Sequence, residues 1–154
     1  MPSEHGIDLI GKKILQELAV DGRLPFTELG RKVGLSPSAV AERVHQMEGL
    51  GFIRGYRADI DLHAFGFTIT AFVRLTCEGN RYRQFLKLLP TLRAAQECHH
   101  LTGGDAFLLK VMVSSVAELE ALIESLLPYG NPTTSMVLST PLERKPLTEI
   151  SGTQ

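Results

Sequence analysis

Apolar residues recur at helical spacing through the first fifty positions and at strand spacing through much of the rest. Ile10, Ile14, Leu15 and Leu18 repeat every three to four residues, which predicts a helix from Asp8, a side-chain cap, to Val20. Asp21, Gly22 and Arg23 end it, and Pro25 and Thr27 precede a second helix that stops at Gly34. Ser36 is placed as an N-cap and Pro37 as the first residue of a third helix, where a missing N–H costs nothing. That helix runs to about Leu50 and stops at Gly51. Leu29 and Val33 on the second helix and Val40, Val44, Met47 and Leu50 on the third form one apolar seam. Two helices joined by a turn at Gly34, which takes positive φ without a Cβ clash, read as a helix-turn-helix. The glycine-interrupted stretch from Phe52 to Asp61 then predicts a short hairpin, the wing of a winged helix.

From Phe67 the period changes to two. Phe67, Ile69, Ala71, Val73 and Leu75 alternate along a strand predicted over Phe67 to Thr76. A helix from Tyr82 to Leu89, a strand from Ala95 to Thr102, a turn at Gly103–Asp105 and a strand from Phe107 to Val113 follow. Ser115 and Glu118 form a capping box for a helix through Leu127, and Pro128 to Pro132 breaks it before a strand from Thr133 to Thr140. The order β-α-β-β-α-β predicts a ferredoxin-like antiparallel sheet with helices on one face. The fold class is therefore α+β. The expected organisation is a winged helix-turn-helix over 1–58, a hinge over 59–66, a ferredoxin-like domain over 67–141 and a tail over 142–154. Thr68, Thr70, Phe72, Leu108, Lys110 and Met112 fall on the sheet's uncovered face; several are apolar, which suggests a symmetric dimer built sheet to sheet.

Composition adds limits. At 44% hydrophobic residues over 154 positions the chain has the makeup of a folded protein. No apolar run reaches the length of a membrane span, and the first residues lack the pattern of a secretion signal, so the expected location is the cytoplasm. Met1 to Arg57 carries 8 basic and 7 acidic residues, and the remainder 8 and 10. The bias toward positive charge in the first part has the sign that nucleic acid requires, but it is small, so several copies would be needed to hold a duplex.

The exposed face of the third helix suggests double-stranded DNA as the partner. Arg43 is suited to guanine, Gln46 to adenine and Glu42 to cytosine, with Ser38 and Ala39 beside them. Arg31, Lys32, Ser36, Arg54 and Arg57 suit phosphates. Other chemistry is thin. His99 and His100 beside Cys98 would point to opposite faces of a strand and so hold no common metal ion. Asp59 and Asp61 have no partner histidine, and no phosphate loop or nucleophile elbow occurs, so neither catalysis nor a metal or other cofactor is expected.

Three stretches carry a resemblance. Residues Ile14 to Arg23, Val33 to Ser38 with Arg43–Val44 and Ile53–Tyr56, and Glu97 to Asp105 with Tyr129 to Ser135 resemble the Lrp/AsnC ("feast/famine") transcription regulators. The resemblance implies a dimer-based, usually octameric, DNA-binding homo-oligomer modulated by a small amino-acid-like effector in clefts where dimers meet. It places that effector at Thr102, Gly103, Gly104, Asp105, Tyr129, Gly130, Thr133, Thr134 and Ser135. Turn glycines expose N–H groups to a carboxylate, Asp105 can pair with an ammonium, and the hydroxyls of Thr133, Thr134 and Ser135 complete a polar ring. The chain departs from the family pattern at Glu42, where a second arginine is frequent, and at Gly104 and Ala106, where acidic residues are common. The rival expectation is an amino-acid-sensing module that acts through protein contacts.

Overall fold

The computed structural model describes residues 7–77, 79–104 and 106–146, which fall into two compact units: 7–59 with 142–146, and 60–141.

The first unit is three helices, α1 (Leu9–Val20), α2 (Phe26–Val33) and α3 (Pro37–Gly49). Asp8 caps α1 by accepting a hydrogen bond from the Gly11 amide at 2.8 Å. Ile14, Leu29, Val40, Val44 and Met47 are buried together, with Ile10, Leu15, Leu18, Val33 and Ile53 packed around them, so the predicted seam is the core except at Leu50, which is 45% exposed at the end of α3. α2 begins at Phe26, and Gly34 closes it in the left-handed region at φ 75°. Both the Gly34 and Leu35 amides donate to the Gly30 carbonyl, at 2.8 and 3.0 Å.

The predicted wing is not formed. Residues 52–61 carry no strand. The amides of Phe52 and Ile53 donate to the Met47 carbonyl at 2.9 and 3.3 Å, and Ile53 packs on the core. The Tyr56 hydroxyl donates to Glu48 Oε1 at 3.0 Å. The segment therefore folds back on the end of α3, where its apolar side chains have partners, rather than onto itself. Further on, Arg144 Nη1 meets Asp59 Oδ1 at 3.0 Å, which ties residues of the predicted tail to this unit.

The second unit opens with a 3₁₀ turn, Leu62–Phe65, followed by β1 (Ile69–Cys77), α4 (Arg81–Leu88), β2 (Ala95–Leu101), β3 (Ala106–Val113), α5 (Val116–Leu126) and β4 (Gly130–Met136). The strands are antiparallel in the order β2-β3-β1-β4, the ferredoxin-like arrangement. Ala71, Val73, Leu75 and Cys77 alternate onto the covered face and are buried with Phe107, Leu109, Val111 and Val113 against Phe85 of α4 and Leu119, Leu122 and Leu126 of α5. Ser115 Oγ accepts the Glu118 amide at 3.2 Å as the capping box requires, but Glu118 returns its carboxylate to the Ser114 amide and hydroxyl, each at 2.8 Å. β4 starts three residues before its predicted start. Pro132 sits within it opposite Leu75, permitted because β4 is an edge strand whose outer amides need no partner. At Gly130 an added Cβ would fall 2.1 Å from the Thr76 carbonyl oxygen, so glycine is what lets the strand pair that closely.

A matched pair of substitutions tests how tightly the helix-turn-helix is built. A Cβ at Gly30 would lie 2.5 Å from the Leu35 carbonyl oxygen, a backbone atom that can only move by opening the turn, whereas a Cβ at Gly49 meets nothing within 4 Å. Gly30→Ala is expected to cost roughly 1–3 kcal/mol. Gly49→Ala is expected to be neutral or to gain up to about 1 kcal/mol, since alanine favours the helix. Urea unfolding followed by helical circular dichroism checks both; equal midpoints for the two variants would contradict the close approach at Gly30.

Candidate nucleic-acid interface and effector region

α3 is set up as a presented helix. Ser36 Oγ accepts the Ala39 amide at 3.2 Å and lies 3.1 Å from Ser38 Oγ, while Pro37 occupies the first turn. With Val40, Val44 and Met47 facing inward, the exposed side is Ser38, Glu42, His45, Gln46 and Gly49. His45 belongs to the middle of that side, seven residues from Ser38 and three from Glu42, and its side chain is 75% exposed. Helical spacing alone would have included it. Ala39 and Arg43 are half-buried along one flank, beside Ile7, Asp8 and Gly11.

The basic residues are distributed less simply than expected. Arg31 and Lys32 are exposed at the end of α2, and Lys32 is ion-paired with Glu17. Arg43 Nη1 donates to both oxygens of Asp8 at 2.8 Å. Arg54 and Arg57 line a cleft against Leu15, Leu18 and Ala19, near the far end of α1 from the Asp8 contact. Eleven residues of helix separate Asp8 from Ala19, about 16 Å, so these arginines and Arg43 do not form one patch.

In the second unit the predicted effector residues divide into three groups. Thr102, Gly103 and Gly104 are exposed on the β2–β3 turn, the glycines at φ 91° and 83°. Asp105 lies outside the described residues. Tyr129 and Gly130 enter β4, with the Tyr129 ring 6.4 Å from that of Phe85. The register aligns Leu101, Ala106, Thr76 and Asn131 in a row, so these two groups share one end of the sheet but are separated by two to three strand spacings, about 10–14 Å, since the turn bridges β2 and β3. Thr133 and Ser135 pair with Arg74 and Phe72 on the uncovered face, whereas Thr134 pairs with buried Val73 and turns its Oγ1 to the covered side, where no hydrogen-bond partner among the described residues meets it. The three hydroxyls therefore do not form one ring: consecutive strand residues alternate. His99 and His100 alternate in the same way. His99 bonds to Glu97 at 3.2 Å, and His100 stacks on Phe107 with centroids 5.0 Å apart. Beside the glycine turn, Asn80, Tyr82, Arg83 and His100 border a cleft of about 450 Å³, a set that no sequence motif marks.

Three exposed carboxylates are held below the usual carboxylate range. Asp8 is lowered by the Gly11 amide and then by Arg43, Glu48 by His45 and then by Tyr56, and Glu118 by the amide and hydroxyl of Ser114. A carboxyl whose folded value is depressed contributes stability that is complete above its unfolded value and is lost as pH falls through the folded one. The melting temperature is therefore expected to be level above about pH 5 and to fall below about pH 4, with Glu48→Gln and Glu118→Gln each flattening part of that descent. A melting temperature unchanged across this range would show that these hydrogen bonds contribute nothing.

The comparisons with known proteins agree with this architecture. Residues 7–48 match the model of the AsnC-type helix-turn-helix domain, and residues 70–147 that of the Lrp/AsnC ligand binding domain. The HTH-type transcriptional regulator LrpC of Bacillus subtilis is 33% identical over 86% of this chain and 92% of its own. Its solved structure superposes with a TM-score of 0.84 over 91% of this chain and 99% of that one. The leucine-responsive regulatory protein of Escherichia coli is 36% identical over 86% of this chain and 84% of its own. A Neisseria meningitidis transcriptional regulator solved as a complex with L-Met is similar at 26% identity, with a TM-score of 0.85 over 92% of this chain and 96% of that one. The chain, with its α2–α3 helix-turn-helix and its β2-β3-β1-β4 sheet, belongs to the Lrp/AsnC family of transcriptional regulators.

Proposed function

We propose that the protein is an oligomeric, sequence-specific DNA-binding regulator of the cytoplasm whose second domain takes an amino-acid-like effector. The observation that carries the reading is α3 itself: a capped helix held by a glycine turn, with Ser38, Glu42, His45 and Gln46 on an exposed polar side. Such a helix enters a major groove and reads base edges, while Arg31, Lys32, Ser36, Arg54 and Arg57 supply phosphate contacts. Charge argues for several copies. Lys32 and Arg43 are already paired with Glu17 and Asp8, so one helix-turn-helix has little net attraction for a duplex.

The copies are supplied by the second unit. Among the described residues its sheet has helices on one face only, and the other carries Phe72, 38% exposed, together with half-buried Thr70, Leu108 and Met112. A second sheet packed on this face closes a two-fold dimer. An amino acid in contact with both the Thr102–Gly104 turn and the start of β4 in one chain would have to span about 10–14 Å. This favours a site completed by a neighbouring copy, near Thr102, Gly103, Gly104, Asp105, Tyr129 and Gly130, with Thr133 and Ser135 further along β4. The L-Met complex of the Neisseria relative supports an amino acid as the ligand class. With 59–66 acting as a hinge between 1–58 and 67–141, occupancy would bias which spacing of half-sites the helices reach.

The test is mobility shift against duplexes selected from a random library, with light scattering on the same samples. The wild type is expected to bind selected duplexes in a salt-dependent way and to be at least a dimer. Arg31→Ala is expected to lower the log–log salt slope by about one without changing sequence preference. Phe72→Glu is expected to shift the protein toward monomer and to weaken DNA binding at least tenfold through lost avidity. A wild type that remains monomeric, or that selects no duplex, would overturn the reading.

A further inference from the structure

Asp8 sits beside α3 and is not among the residues expected to contact DNA. Its carboxylate does two things at once. Oδ1 accepts the Gly11 amide and caps α1, and both oxygens receive Nη1 of Arg43 at 2.8 Å. The pair lies at the edge of a depression between α1 and α3 bordered by Gly11, Ala39, Glu42 and Gln46. Arg43 is the arginine of α3, and its side chain remains 36% exposed.

The geometry of the fork decides what Arg43 can do. A guanidinium carries five N–H donors in one plane, and both bonds to Asp8 leave from Nη1. The edge formed by Nη2 and Nε makes neither of them. That edge presents two parallel N–H groups, the pattern that O6 and N7 of guanine accept. An arginine without such a partner beside a duplex is drawn to the nearest phosphate, a contact that carries no sequence information. Asp8 opposes this by making the pair net neutral, so that phosphates no longer attract the guanidinium. The carboxylate is also fixed from the other side, since the Gly11 bond ties it to the first turn of α1.

We infer that Asp8 is a positioning residue for sequence specificity: it restrains Arg43 at Nη1 and reserves the Nη2–Nε edge for a guanine. The inference rests on the DNA-binding reading above and adds to it the division of labour between two side chains, 35 residues apart.

The experiment uses the full-length protein, the duplex it selects from a random library, the same duplex with each guanine of the half-site replaced in turn, and a scrambled duplex, each titrated at several salt concentrations. Asp8→Asn is the central variant, because asparagine also caps helices and keeps an acceptor for Gly11; a thermal melt checks that the fold is retained. Asp8→Asn is expected to reduce discrimination against one guanine replacement by about tenfold, the scale of one bidentate base contact. It is also expected to bind scrambled DNA more tightly and to steepen the salt slope by about one, as Arg43 turns to a phosphate. Arg43→Lys, which keeps the charge but not the fork, is expected to lose the same discrimination. In an Arg43→Ala background, Asp8→Asn is expected to change discrimination no further. A cap that matters only for folding would weaken all duplexes alike and leave the slope unchanged, and that result overturns the inference. So does full discrimination in Asp8→Asn, or a loss that persists without Arg43. A wild type that selects no duplex overturns the DNA-binding reading itself, which separates the two failures.

Discussion

The turn between α2 and α3 leaves no room for a methyl group where Gly30 faces the Leu35 carbonyl, and what α3 presents depends on that closeness. The Gly30 carbonyl takes the amides of both Gly34 and Leu35, so the chain leaves α2 in one direction only. Ser36 and Pro37 then start α3 immediately, with a side-chain acceptor for one orphan donor and no N–H to satisfy at another. Ile14, Leu29, Val40, Val44 and Met47 fix the rotation of α3 about its axis by burying one side of it. The polar side is exposed as a consequence. Ser38 and His45 also make local hydrogen bonds there, to Ser36 and Glu48, but the exposure of that side is set by the core and not by them.

The second unit meets a different constraint. β1 lies inside the sheet and pairs with β3 on one side and β4 on the other, so its alternation is imposed on both neighbours. Val73 faces the helices because Ala71 and Leu75 do, and Phe72 faces away for the same reason. Two helices can cover only one face of such a sheet. The apolar character of Phe72, Leu108 and Met112 is thus the residue pattern of a face that α4 and α5 leave uncovered.

How much was legible in the sequence follows from the range of the interactions involved. Helix α1 with its Asp8 cap, the Ser36–Pro37 start of α3, the core seam and the period-two strands are written in contacts a few residues apart, and each could be read from spacing. The absent wing was not legible. Phe52, Ile53 and Tyr56 have the composition of a hairpin, but their partners are the Met47 carbonyl, the core and Glu48. β4 begins earlier than its sequence suggests because Pro132 looks like a break, and only the sheet order shows that it lies on an edge where proline is tolerated. For the site the same rule holds. His45 carried a local signal in its spacing from Ser38 and Glu42. The alternation that separates Thr134 from Thr133 and Ser135 was also local, and gathering the three hydroxyls into one ring set it aside. The Asp8–Arg43 pair joins residues too far apart in the chain for any spacing rule to connect.

That pair, with Lys32–Glu17, also explains why near-neutral charge is compatible with reading DNA. Attraction to phosphates is additive in unpaired cations and indifferent to sequence, so a domain rich in them binds everywhere. A domain that pairs its cations with its own carboxylates gives up most of this attraction. What remains is hydrogen-bond geometry, which distinguishes one site from another but is weak in a single copy. In the dimer proposed above, the deficit would be met by the number of copies rather than by charge, with the apolar sheet face of the second domain as the means of supplying them. Specificity and the proposed sheet-to-sheet pairing are then one design: the less each helix-turn-helix holds on to DNA in general, the more a second copy has to contribute.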